Sequence, residues 1–73
     1  MATTSPASLV ASIGEAAGVI WGILSENGPM TMAKLVKAVG EPRDTVMQGL
    51  GWLAREDKLD IVEDGRSRVV SLR

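Results

Sequence analysis

Residues 43 to 59 read Arg-Asp-Thr-Val-Met-Gln-Gly-Leu-Gly-Trp-Leu-Ala-Arg-Glu-Asp-Lys-Leu. Val46, Leu50 and Leu53 recur at i, i+4 and i+7, one face of a 3.6-residue period, so the segment reads as an amphipathic helix expected over 42–57. Pro42 suits the first helical position, where its missing N–H costs nothing, and Asp44 places a negative charge in the first turn. Immediately upstream, Met32 to Val39 makes a second short helical pattern, with Leu35, Val36 and Val39 inward and Lys34 and Lys37 outward. Gly40 stops it, because glycine takes the left-handed geometry of a helix C-cap. Thr31 is placed to cap its start. Two helices held this close by one glycine turn leave few arrangements open.

The segments on either side narrow them further. Leu59 to Glu63 alternates like a strand, Asp64-Gly65 is a strong hairpin signal of the type I′ kind, and Arg66 to Leu72 returns as the partner strand. Met30-Thr31-Met32 reads as a short extended segment. Before it, Asn27-Gly28-Pro29 is a stop signal that closes a first helix over 7–26, opened by Ser5 as N-cap and Pro6 at its first position. Residues 1–6 are small and polar and expected to fray.

The first helix has two faces. Leu9, Ile13, Ala16, Ile20, Ile23 and Leu24 form a wide apolar stripe, the expected core face. The opposite side is small: Ala7, Ala11, Gly14, Gly18, Gly22 and Ser25. Each mid-helix glycine costs about 0.8–1.0 kcal/mol relative to alanine. Gly14, Gly18 and Gly22, with Trp21 beside them, are therefore either a seam for close helix packing or a tolerated solvent face. Ala7 to Leu24 is also 18 residues with a single charge, the length of a membrane span. Glu15 at its centre would cost about 2.5–3.5 kcal/mol on insertion, and its many Ala, Gly and Ser residues supply little transfer energy, so a membrane role is rejected. No basic residue precedes the apolar run, as a signal peptide would require.

The order helix, short strand, helix, helix, two-stranded wing is α+β and looks like a winged helix-turn-helix, one domain over 1–73. The run Leu50-Gly51-Trp52-Leu53-Ala54-Arg55-Glu56, preceded by Ile20-Trp21 and Glu26-Asn27-Gly28, resembles a family of small prokaryotic winged-helix proteins of unknown function, over roughly residues 13–72. That resemblance implies the fold and a regulatory or DNA-binding role. It implies no catalytic residue and no cofactor.

The residues themselves point away from catalysis. The 73-residue chain has no Cys and no His, so it lacks a thiolate or imidazole nucleophile, base or metal ligand. Asp57 with Asp60, or Glu63 with Asp64, could chelate a cation, but nothing matches a calcium loop, and solvated charge is the reading adopted. Gly14, Gly18 and Gly22 lack the spacing and preceding strand of a phosphate loop. The chain is thus expected to be a non-enzymatic, cytoplasmic binding protein with no metal and no cofactor.

Two partners compete. For double-stranded DNA, the outward residues of the third helix are expected to be Arg43, Gln48 and Arg55, with Thr45 and Trp52 at the margin; Arg reads guanine and Gln reads adenine in the major groove. Arg66 and Arg68 on the wing would meet phosphates. Charge argues for weak binding. Residues 1–27 carry −2, residues 28–73 carry +1, and only Gly65–Arg73 is basic, at +3. The third helix with its end is neutral: Arg43, Arg55 and Lys58 against Asp44, Glu56 and Asp57. The alternative is a protein–protein module or homodimer. A domain this small buries only about 60% of its unfolded surface. Gly49 and Gly51 offer DNA no contact and fit a surface that another backbone approaches. Trp52 lies beside the core stripe, either closing the core edge under the wing or anchoring an interface with Gly14, Gly18, Trp21 and Gly22.

Overall fold

The computed structural model describes residues 6–73. The elements run α1 (Pro6–Asn27), β1 (Met30–Thr31), α2 (Met32–Val39), α3 (Arg43–Arg55), β2 (Leu59–Asp64) and β3 (Ser67–Leu72). Pro6 is helical rather than frayed; the expected Ser5 cap lies outside the described residues. Local chemistry sets most boundaries. Gly28, at φ 75°, donates its N–H to the Leu24 carbonyl at 2.9 Å and closes α1. The Thr31 side chain accepts the Lys34 N–H at 3.3 Å and opens α2, and Gly40, also at φ 75°, closes it.

The third helix is shorter than its 42–57 pattern. Pro42 has ψ 141° and stands outside the helix as its N-cap, not at the first helical position. At the other end Asp57 takes the left-handed conformation, φ 57°. Its N–H donates to the Ala54 carbonyl and that of Lys58 to Leu53, at 3.1 and 2.9 Å. This is the paired-bond C-terminal motif that glycine usually makes, built here on an aspartate. The hairpin also differs in detail from the expected turn. Asp64 pairs with Ser67, so the central residues are Gly65 and Arg66, and only Gly65 has a positive φ, 64°. One positive φ at the first central position suits a type II′ turn; type I′ needs two.

The three strands lie antiparallel in the order β1-β3-β2, with β3 in the middle. Ile20, Leu35, Val46 and Val70, one each from α1, α2, α3 and β3, are the largest fully buried side chains. Ala17, Leu24, Leu50, Leu53 and Leu59 complete the same cluster. On α1, Ala16, Ile20 and Leu24 are buried as expected, and Ile13 and Ile23 are half-buried. Leu9, expected on the core face, is instead 56% exposed. Gly49 of α3 meets α1 at Ala16, Ala17 and Ile20, and Leu9 lies about two turns earlier. Ala17 takes its place in the core. Ser8–Asn27 is long and apolar enough to cross a membrane by length and composition. Here its Ala16-Ala17-Ile20-Leu24 face is buried in the core.

Gly49 explains how α1 and α3 come together. A Cβ there would lie 3.0 Å from the Ala17 backbone nitrogen, 3.1 Å from the Ala16 Cβ and 3.1 Å from the Ile20 Cδ1. The glycine lets two backbones approach within one protomer. Gly51, two residues on, is exposed and faces open space, so within the protomer a close backbone approach is made at Gly49 and not at Gly51.

Candidate nucleic-acid interface

Burial of Val46, Gly49, Leu50 and Leu53 orients α3. The stripe opposite them is Asp44, Gln48, Gly51 and Arg55, all exposed. Gln48 and Arg55 therefore stand outward as expected, about two turns apart. Arg43 and Thr45 do not share that stripe. Thr45 is half-buried and lines a small cleft of about 140 Å3 with Ser12, Glu15 and Val19 of α1 and Glu41.

Arg43 belongs to a second, larger feature. A groove of about 440 Å3 runs between the wing and the start of α2. Thr31, Met32 and Ala33 form one side of it, Arg43 opens α3 beside them, and Glu63, Gly65, Arg66, Ser67 and Arg68 supply the wing side. One arginine from the start of α3 and two from the wing thus line one cleft, next to the amide end of α2, whose dipole also favours anions. Glu63 is directly across the ladder from Arg68, and their Oε1 and Nε are 3.5 Å apart. Among the described residues, Arg43 and Arg66 make no ion pair. The wing arginines were legible as basic strand residues. Glu63 and the edge of α2 were not, although a two-residue turn at Gly65-Arg66 implies the pairing of 63 with 68.

The acidic pairs weighed as cation sites are otherwise engaged. Arg73 lies 3.3 Å from Asp57 and 3.6 Å from Asp60, supplying their positive charge, and Glu63 turns to Arg68. Among the described residues no group of three or more potential ligands could hold a metal ion.

Residues 8–72 match the family described as winged helix-turn-helix domain (DUF2582). The chain belongs to that family. An uncharacterised protein of Methanocaldococcus jannaschii is 36% identical over 64 residues, spanning 84% of this chain and 90% of the relative. Among solved structures, the PcaV transcriptional regulator from Streptomyces coelicolor, in complex with its natural ligand, superposes with a TM-score of 0.72 at 20% identity, over 100% of this chain and 68% of that one. At that identity the likeness shows the fold, and the winged-helix reading of the element order is correct.

The residues weighed as an interface lie outside the core. Gly14 and Gly18 are exposed and Gly22 is half-buried; a Cβ on any of them would meet nothing within 4 Å. Trp21 and Trp52 are each 48% exposed. Leu9, Val10 and Val19 add apolar surface on α1.

Proposed function

We propose that this domain is a non-enzymatic, cytoplasmic DNA-binding protein of the transcription-regulator kind. It grips the duplex backbone with the groove beside the wing. The observation that carries this reading is the convergence of Arg43, Arg66 and Arg68 on one cleft at the start of α2. Such a cluster offers planar, multiply donating cations to phosphate oxygens. Gln48 and Arg55, on the outward stripe of α3, are the residues able to touch base edges. The relationship of the fold to a transcriptional regulator supports the same class of role.

Affinity should be low and salt-sensitive. The three arginines can make at most three phosphate contacts, a slope of log K against log salt no steeper than about −2.7, so raising salt from about 50 to about 200 mM weakens binding by up to roughly 40-fold. Fluorescence anisotropy with short duplexes tests this. Arg66→Ala and Arg68→Ala should weaken binding alike on every sequence, and Arg55→Ala should change the preference among sequences. A wild-type domain that binds no duplex at about 50 mM salt, where phosphate contacts are strong, overturns the reading.

The exposed apolar surface favours a second role, self-association. Val10, Trp21 and the open glycines of α1, with Trp52 on α3, would be covered by a second copy in a two-fold dimer. Its test is the oligomeric mass and the Gly18→Leu variant described below.

A further inference from the structure

The groove that holds the three arginines also holds a carboxylate. Glu63 lines the cleft with Arg43, Arg66 and Arg68 and sits against Arg68 at 3.5 Å. Arg43 and Arg66 are cations with no such partner among the described residues. Both members of the Glu63–Arg68 pair are well exposed, with side chains 74% and 62% accessible, so the carboxylate is open to exchange for another anion. We infer that Glu63 is the resident counter-anion of the wing groove: it occupies Arg68, and a backbone phosphate must displace it to bind there. This rests on the DNA-binding reading of the same groove and adds to it a residue that sets the affinity.

The chemistry is a competition of anions for one guanidinium. In the free domain the groove carries three positive charges and one negative. A phosphodiester arriving at Arg43 and Arg66 meets Arg68 already paired, and it must lodge beside the Glu63 carboxylate or push it toward solvent. Both routes weaken binding relative to an unpaired triad, since like charges held together raise the energy of the bound state. The position has a reason in the strand. Residues directly across an antiparallel ladder are held side by side, so the hairpin that aims Arg68 at the groove necessarily aims residue 63 at it too.

The alternative is that Glu63 positions Arg68 for phosphate, and the two roles have opposite signs. Glu63→Gln keeps the shape and removes the charge. Glu63→Thr also removes the charge, with a shorter residue suited to an exposed strand, should the glutamine variant perturb the wing. With a labelled mixed-sequence duplex, either variant should bind several-fold more tightly than wild type. Each should also steepen the salt slope by about 0.9, the signature of one more phosphate neutralised. In an Arg68→Ala background the same change at position 63 should gain much less, because the cation it competes for is gone and only the repulsion between carboxylate and phosphate remains. Binding that is unchanged or weaker in the position-63 variants overturns the inference, as does a gain that is just as large without Arg68. If wild type binds and Arg66→Ala weakens it while Glu63→Gln does nothing, this inference fails alone. If wild type, Arg66→Ala and Glu63→Gln all leave the duplex unbound, both readings fail.

Discussion

Alanine substitutions at Gly49 and Gly51 should have opposite effects on stability, although both glycines lie in the middle of α3 and are two residues apart. In each case alanine is the better helix former by about 0.8–1.0 kcal/mol. At Gly51 nothing lies within 4 Å of the new Cβ, so that gain is expressed. At Gly49 the methyl group would sit 3.0 Å from the Ala17 backbone nitrogen and 3.1 Å from the Ala16 Cβ. Neither can rotate away, since both are fixed to the α1 backbone; only the Ile20 Cδ1, also at 3.1 Å, can turn aside. Either α1 moves or the contact stays compressed, and overpacking of this kind costs about 1–3 kcal/mol. Subtracting the helix-propensity gain leaves Gly49→Ala less stable than wild type by about 1 kcal/mol and the two variants about 2 kcal/mol apart. For a domain of this size about 1 kcal/mol moves the midpoint by roughly 4–8 °C. Thermal and urea unfolding followed by circular dichroism would read the difference directly. A Gly49→Ala protein that melts at or above the temperature of Gly51→Ala refutes the claim that α1 and α3 pack too closely at Gly49 for a side chain.

Three further perturbations follow from the fold. Asp57→Gly should stabilise the domain by about 1 kcal/mol in a urea titration, because a non-glycine residue pays steric energy at φ 57° and the Arg73 pair lost with it is exposed. Thr31→Ala should cost about 1 kcal/mol by removing the acceptor for the Lys34 N–H, and Thr31→Ser should restore most of it. If α1 pairs with a second copy across its open glycines, Gly18→Leu should lower the mass seen by light scattering without unfolding the protomer. A wild type that stays monomeric at high micromolar concentration, or a Gly18→Leu protein that is merely more stable, defeats the dimer.

What the sequence determined by itself was the succession of elements. Thr31, Gly28, Gly40 and Gly65 act on the backbone within a few residues of themselves, and the spacing of Val46, Leu50 and Leu53 declares a buried helical face whatever covers it. Helix, strand, helix, helix and hairpin in that order admit few packings, which is why the winged-helix architecture was legible. The misreadings share a cause. Pro42, Asp57 and the Gly65-Arg66 turn shifted boundaries by a residue or two, because a cap is decided by the dihedral the chain adopts and not by residue type alone. Tertiary structure alone decided the rest. Leu9 and Ala17 both belong to the apolar side of α1, and only the place where α3 crosses buries the alanine and exposes the leucine. Gly49 and Gly51 are indistinguishable as letters, yet one faces a backbone and the other open space. Arg43 meets Arg66 and Arg68, and Glu63 meets Arg68, because the wing folds back over the start of α2. Burial and charge pairing are properties of two surfaces at once, and a linear pattern describes only one of them.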